Sequence, residues 1–129
     1  MNAAKRLACE APESISKGVS IIAVEGLRPG SDAPVAVLEF NIEPYASSEM
    51  GANPVTEVIR ILSGAGIVLS GNQELPVQAG DWCLIEPNVQ HQGRNEGAEV
   101  LRALSVSWDK RPGSFRLETK VARHSTRTN

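Results

Sequence analysis

Side chains that build metal and redox sites are scarce in this sequence. Its 129 residues include two cysteines and two histidines. Cys9 and Cys83 lie far apart and show no metal-ligand spacing, which argues against a cysteine-bound zinc site. No apolar run approaches the roughly 20 residues that span a bilayer, and no charged segment followed by an apolar one opens the chain as in a secretory signal. We therefore expect a cytoplasmic protein with both thiols free.

Aromatic residues are also few, and neither sign of charge dominates. Aromatics make up 4% of the residues and apolar residues 41%, so Val, Ile, Leu and Ala must fill the core. The net charge of −2 favours neither nucleic acid nor a membrane surface as a partner. The charged side chains of residues 109–129 are predominantly basic, whereas those of the preceding body are predominantly acidic. This tail is either solvated or docked on the acidic body or on a second subunit.

Short runs of apolar and β-branched residues alternate with turn-forming residues along the chain. Eleven glycines and eight prolines suit many tight turns, and no segment keeps a helical period. The pattern therefore predicts an all-β sandwich, jelly roll or barrel in one domain. The runs that predict strands are residues 19–24, 35–42, 57–62, 67–69, 74–77, 82–85, 89–92 and 100–108.

Three segments follow from this pattern. Residues 1–18 are mixed and polar and are expected to be an irregular lead-in, residues 19–108 form the β domain, and residues 109–129 are a basic C-terminal extension. Apolar and polar residues alternate within the extension, so residues 114–122 are predicted to form one more strand.

Two stretches resemble the sequence motifs of the cupin superfamily. Glu57 and Gly64 stand at the spacing of the second half of the first motif, a glutamate followed by six residues and a glycine. Gly80, His91 and Asn95 match the second motif at its own spacing. The resemblance covers roughly residues 34–108. It implies a small single-domain cupin, whose fold is an all-β jelly-roll barrel.

The chain also departs from the family pattern. The first motif of the family carries two histidines before the glutamate, and at a three-residue spacing these positions are Gly51 and Asn53. The glycine that opens that motif falls on Tyr45, and Glu86 and Asn88 replace a proline and a glycine of the second motif. We therefore predict a degenerate metal site.

The resemblance implies a divalent metal in the barrel interior, held by imidazoles and a carboxylate. Only Glu57 and His91 carry over as ligands, and Asn53 offers a weak carbonyl oxygen. Two good ligands seldom hold a transition metal firmly. We therefore expect either no cofactor or a weakly bound divalent metal at Glu57, His91 and Asn53.

The same residues are candidates for acid–base catalysis. His91 can act as an acid, a base or a ligand near neutral pH, or it is a structural histidine. Glu57 either has a pKa raised by desolvation and acts as a general acid, or is a buried carboxylate hydrogen-bonded to His91. If residues 46–53 are extended, Glu49 faces inward with Asn53; otherwise it lies on an exposed loop. The candidate catalytic residues are Glu57, His91 and Glu49.

The wall of the predicted substrate pocket follows from strand geometry. Side chains two positions apart on a strand face the same way. If the glutamate and the histidine point inward, the residues two positions from them point inward as well. Ile59, Ile61 and Gly93 are therefore expected in the pocket, together with Asn53. Cys83 either lines the pocket or is a small buried hydrophobe.

Two classes of function fit these residues. We favour an enzyme that uses acid–base chemistry on a small molecule, as an isomerase, cyclase, epimerase or lyase with weak or no metal. The alternative is a non-catalytic cupin that binds a metabolite or stabilises an assembly. A metal-dependent oxygenase is a further alternative, although oxygen chemistry normally needs a redox metal with three firm protein ligands.

A small-molecule ligand and a second copy of the chain are the expected partners. Val58, Leu62, Trp82 and Leu84 fall on the face opposite the pocket, because strand side chains alternate. Large exposed apolar patches usually mark interfaces, and two-fold symmetry is the commonest closed form. The sequence therefore predicts a homodimer, with residues 114–122 near the interface; a monomer whose own tail covers the face is the alternative.

Overall fold

Within the part of the chain that the structure describes, nine antiparallel strands form two sheets. The structure is a computed structural model that describes residues 4–109. The strands are β1 (Glu13–Ser16), β2 (Val19–Ala23), β3 (Ala36–Ile42), β4 (Thr56–Ser63), β5 (Ala65–Ser70), β6 (Gln73–Gln78), β7 (Trp82–Ile85), β8 (His91–Arg94) and β9 (Leu101–Trp108). The larger sheet has the order β1-β2-β3-β9-β4-β7 and the smaller sheet the order β6-β5-β8. Within this part of the chain, no helix is long and apolar enough to cross a membrane.

The core lies between the two sheets and is aliphatic. Its buried members come from both sheets, as expected from a sequence with few aromatics. They are Val19, Ile42, Ile61, Val68, Val77, Ile85, Leu101 and Ala103. The predicted all-β fold is confirmed, and its strand ladders are divided between two sheets that enclose this core.

The expectation of an irregular lead-in over residues 1–18 is wrong for Glu13–Ser16, which forms β1. The chain reverses at Gly18, whose φ of 75° suits a residue without a Cβ. β1 then pairs with β2 in the antiparallel sense. Ile15 is the one apolar residue of β1, so no period-2 pattern marks the strand in the sequence.

The glycine of the first motif permits a tight passage between the sheets. Gly64 lies between β4 of the larger sheet and β5 of the smaller sheet, with a φ of 83°. A Cβ at this position would lie 2.6 Å from the carbonyl oxygen of Val100. Any larger residue would therefore clash with the backbone as well as adopt a strained conformation.

Two positions where the resembled family carries glycine have positive φ in this chain. Asn88 has a φ of 65° and Tyr45 a φ of 62°. Asparagine enters this region more readily than most residues, whereas a bulky side chain there is an outlier. Tyr45 follows Pro44 in a turn that the Ala46 N–H closes by donating to the Glu43 carbonyl at 3.0 Å. A type II turn requires a positive φ at its third position, and here Tyr45 adopts that φ although it is not a glycine.

Asn95, the last residue of the second motif, holds the loop between β8 and β9. Its side chain is 2% exposed. Its Nδ2 donates to the carbonyl oxygens of Ile42 at 2.9 Å and Glu99 at 2.7 Å, and its Oδ1 accepts from the Gly97 N–H at 3.0 Å. The amide is thus fully used in fixing backbone next to the pocket.

The outer face of the larger sheet carries an apolar stripe. The strand register places Leu84, Val58, Val106 and Val37 side by side on β7, β4, β9 and β3. Trp82 extends the stripe at the sheet edge, where it is 59% exposed. The predicted strand at residues 114–122, which is one candidate to cover this stripe, lies outside the described residues.

We propose that a second copy of the chain covers this apolar stripe in a two-fold homodimer. Light scattering should give the full-length protein twice the monomer mass, because burying the stripe removes apolar surface from water. Trp82→Glu should shift the protein toward monomer. Leu7→Glu, at another exposed apolar residue, should not.

A monomeric wild-type protein at micromolar concentration would contradict the dimer. A chain that ends at Trp108 tests the alternative cover. If that chain keeps both its dimerisation and its stability, residues 109–129 have no part in the interface.

Candidate functional site

A cavity of about 290 Å³ lies between the two sheets. Apolar side chains from both sheets form most of its wall. They include Phe40, Ile42, Ile59, Ile61, Val68 and Leu101. The polar groups of the lining gather at one buried pair and at the mouth.

Glu57 and His91 meet in this cavity. Glu57 lies on β4 of the larger sheet and His91 on β8 of the smaller sheet, so the pair connects the two layers. The Nε2 of His91 lies 3.3 Å from the Oε1 of Glu57. Glu57 is 7% exposed, which makes its carboxylate a buried group that needs a partner.

Two further groups fix the orientation of this pair. The Ser105 hydroxyl donates a hydrogen bond to the Oε2 of Glu57. The carbonyl oxygen of Val89 lies 3.0 Å from the Nδ1 of His91. A carbonyl can only accept, so Nδ1 carries a proton, and the exchangeable position of the imidazole is Nε2, which faces Glu57.

The pair favours an imidazolium and a carboxylate. The contact with Glu57 raises the pKa of His91, against the effect of burial, and the Val89 carbonyl adds to the rise. Burial alone would raise the pKa of Glu57, but the contacts with His91 and Ser105 and the charge of His91 together lower it. The expectation of a raised Glu57 pKa is therefore wrong, because the carboxylate has a cationic partner inside the fold.

One oxygen of Glu57 nevertheless remains free to accept a proton. The Oε1 and the Nε2 of His91 are at ion-pair distance but are not aligned as a hydrogen bond, so the buried Oε1 has no hydrogen-bond partner. Such an atom costs free energy unless a ligand or water satisfies it. The arrangement therefore offers one acceptor and one donor side by side in the cavity.

The segment that precedes β4 runs along β8. Gly51 and His91 exchange two backbone hydrogen bonds, of 3.0 and 2.8 Å. Glu49, Gly51 and Asn53 all line the cavity, as expected for an extended segment. Glu49 and Asn53 are solvent-exposed, which places them at the mouth; their roles in catalysis and metal binding stay predictions.

Among the predicted wall residues, Ile59, Ile61 and Gly93 line the cavity. Cys83 is not among the residues of this lining, so its place in a substrate pocket stays a prediction. The register pairs Cys83 with Ile59 on the same face, but β7 is the edge of the larger sheet and Cys83 packs against the core there. It behaves as the small buried hydrophobe of the alternative, and burial raises its thiol pKa.

Several residues of the site are missing from the sequence prediction. Ser105 is buried and follows Leu101 and Ala103 on the inward face of β9. The alternation along this strand could have identified it, because it places a serine at an inward-facing position. Ile15 and Ser16 of β1 also line the cavity. No signal marks these two, because the strand that carries them is itself unmarked.

The residues present do not fit a tightly held transition metal. Within residues 4–109, no three His, Cys, Asp or Glu side chains come together. Gly51 and Asn53 occupy the two imidazole positions of the resembled family, and Ser105 engages one oxygen of Glu57. The described residues therefore do not supply the three firm ligands that a metal-dependent oxygenase normally needs.

We expect metal occupancy to be low or labile in the wild-type protein. The double variant Gly51→His with Asn53→His should bind Zn²⁺ or Co²⁺ more tightly, because each imidazole adds a strong donor. A Cβ at Gly51 meets no heavy atom within 4 Å, so the first substitution has room. Calorimetry with Gly51→Ala and Asn53→Ala as the matched control measures the gain. Stoichiometric iron, manganese, zinc or nickel in wild-type protein after chelator dialysis would contradict the expectation.

We expect His91 to titrate above its ordinary value of 6.5, and Glu57→Gln to lower its pKa. The stabilisation from His91 is complete below that ordinary value and is lost as pH rises through the raised one. The stabilisation from Glu57 is complete above its ordinary value of 4.5 and is lost as pH falls through the lowered one. The pair thus stabilises the fold most between these two ordinary values.

Imidazole NMR signals across a pH series measure this titration. Glu39→Gln is the matched control, since Glu39 pairs with Arg102 at 3.1 Å and lies outside the cavity lining. An unchanged His91 titration in Glu57→Gln would show that the pair is not coupled.

Comparison with known proteins agrees with this architecture. The family model of the cupin domain matches residues 38–107. An RmlC-like cupin from Shewanella frigidimarina is 16% identical, with a TM-score of 0.66, covering 78% of this chain and 85% of that chain. A predicted oxalate decarboxylase from Thermotoga maritima is 20% identical, with a TM-score of 0.65, covering 81% and 94%.

A sugar phosphate isomerase of the cupin superfamily from Silicibacter pomeroyi is 18% identical, with a TM-score of 0.63, covering 81% of this chain and 72% of that chain. At these identities the likeness shows the fold. No curated protein sequence matches the chain significantly. The family match spans more than half of the chain and includes both Glu57 and His91. The chain belongs to the cupin superfamily.

Proposed function

We propose that this cupin is an enzyme that transfers protons on a small molecule bound between its sheets. The observation that carries the proposal is the Glu57–His91 pair, which faces the cavity with an unbonded carboxylate oxygen beside the exchangeable nitrogen at 3.3 Å. An acceptor and a donor at this separation match general acid–base catalysis at neighbouring atoms of one substrate.

Each atom of the pair has a defined task in this mechanism. The Oε1 of Glu57 removes a proton from a carbon next to a carbonyl group. The Nε2–H of His91 gives its proton to the carbonyl oxygen, so an enol forms. Return of the two protons to different atoms or to the other face yields an isomer or epimer. In an elimination, the Glu57 carboxyl gives its proton to a β-hydroxyl, which leaves as water, and the enol O–H returns its proton to Nε2 of His91 as the carbonyl re-forms.

The surrounding groups keep these tasks separate. Val89 holds the Nδ1 proton, so the imidazole can exchange a proton only at Nε2. Ser105 occupies Oε2, so Oε1 is the oxygen that receives the substrate proton. The lowered pKa of Glu57 and the raised pKa of His91 leave the base ionised and the acid protonated between their ordinary pKa values of 4.5 and 6.5.

One structural neighbour supports this reaction class. The Silicibacter pomeroyi cupin is described as a sugar phosphate isomerase, and isomerisation of a hydroxy carbonyl compound is a proton transfer of this kind. Its 18% identity supports the fold rather than a shared substrate. The proposal therefore stands on the geometry of the pair.

Proton exchange in deuterated water tests the proposal. We expect wild-type protein to speed the loss of the α-proton NMR signals of hydroxyacetone and dihydroxyacetone. Glu57→Gln and His91→Gln should each slow the exchange by roughly a hundredfold to ten-thousandfold, the usual contribution of a general acid or base. Glu39→Gln, which removes a carboxylate outside the cavity, should exchange as the wild type does.

A wild-type protein that binds these probes but exchanges them only at the background rate would contradict the proposal. That result would favour the alternative of a cupin that binds a metabolite without turnover.

A further inference from the structure

The charged side chains of the cavity lining include more carboxylates than cations. Among the described residues that form the lining, the ionisable ones are Glu49, Glu57 and His91, and none is lysine or arginine. The imidazolium of His91 is already matched by Glu57 at 3.3 Å. Glu49 adds a second carboxylate at the mouth, so the described part of the lining offers an incoming anion no cation that is not already paired.

The described arginines near this part of the fold are engaged elsewhere. Arg94 is the last residue of the strand that begins at His91, but its guanidinium lies 3.2 Å from Glu74 and 3.4 Å from Glu96. Arg60 lies 5.0 Å from the ring centroid of Trp82, on the outer face of the sheet. A phosphate or carboxylate in the cavity would therefore be buried without a counter-ion, which is costly.

A second unsatisfied polar atom lies in the same lining. The Oγ of Ser16 is buried and has no hydrogen-bond partner, whereas the Oγ of Ser48 accepts from the Gly93 N–H at 2.8 Å. Among the described residues of this lining, the Ser16 hydroxyl and the Oε1 of Glu57 are thus the two buried oxygens that lack a hydrogen-bond partner. Satisfying both favours a ligand with a hydrogen-bonding group in addition to the one at the reacting carbon.

Ser16 belongs to a part of the wall that the family match does not include. β1 lies before residues 38–107 and contributes Ile15 and Ser16 to the cavity. The volume of about 290 Å³ is at the small end for ligand pockets. The wall thus combines strands inside the family match with a strand that lies before it.

We propose that the cavity selects a small uncharged hydroxy carbonyl compound over its anionic counterparts, and that Ser16 is the residue that binds its hydroxyl group. The choice of a hydroxy carbonyl compound rests on the proposed proton-transfer function, whereas selection against anions and the role of Ser16 rest on the lining alone.

Two pairs of probes that differ in charge test the selection. Hydroxyacetone and pyruvate are close in size, and dihydroxyacetone can be compared with dihydroxyacetone phosphate. NMR titration of the full-length, isotope-labelled protein follows the His91 imidazole and the Ser16 amide. The neutral member of each pair should give saturable shifts, and the anionic member should bind at least tenfold more weakly or not at all.

A variant of β1 tests the role of Ser16. Ser16→Ala should weaken dihydroxyacetone binding by roughly threefold to tenfold, as expected for one lost hydrogen bond. Ser14→Ala is the matched control, because Ser14 lies two residues away on β1 with an exposed hydroxyl. It should leave the affinity unchanged.

These measurements detect binding without turnover, so they remain informative if the enzyme proposal fails. Equal or tighter binding of pyruvate or the phosphate would overturn the selection against anions. Undiminished binding in Ser16→Ala would overturn the role of that residue. The absence of any saturable shift with both neutral probes at tens of millimolar would overturn the ligand class.

Discussion

The contact between Glu57 and His91 is the interaction on which the site depends. The two residues come from different sheets, so their 3.3 Å approach is possible only when the sheets pack at the distance that the aliphatic core sets. A carboxylate that is 7% exposed needs a cationic or hydrogen-bonding partner, because an isolated buried charge is strongly unfavourable. The same pair therefore contributes to the packing of the sheets and to the chemistry of the cavity, and removing one partner leaves the other buried and uncompensated.

The geometry of the pair favours a protonated His91. With Nδ1–H held by Val89, a neutral His91 would turn the Nε2 lone pair toward a carboxylate oxygen, which is repulsive. A proton between them removes the repulsion and yields a pair with no net charge. An uncharged pair with a nearby carboxylate leaves little attraction for anions, so the loss of two imidazoles changes the expected ligand as well as the expected metal content.

Motif spacing and strand alternation predict the centre of this site, but not its edges. Glu57, His91, Ile59 and Ile61 could be placed because their strands alternate clearly and their spacing matches a known motif. The direction of the shift in the Glu57 pKa could not be predicted, because it depends on how closely a residue of the other sheet approaches the carboxylate. Cys83 points to the same face as Ile59, as predicted. It does not line the cavity, because β7 lies at the edge of the sheet, and the alternation of side chains within a strand does not predict the order of the strands. β1 was not predicted, because its four residues include one apolar side chain and therefore show no alternation of apolar and polar residues.

Two residues that escaped the sequence prediction, Ile15 and Ser16, lie outside the family-matched part of the cavity wall. Glu57, His91 and the turn glycine lie in the family-matched residues 38–107, where backbone constraints such as the positive φ of Asn88 are kept even when the residue changes. Ser16 and Ile15 lie before that region and close the same cavity. A fold can host many functions because its site is defined by side chains and not by its topology. In this chain the family-matched strands carry Glu57 and His91, and β1 before them adds Ile15 and Ser16 to the wall of the same cavity.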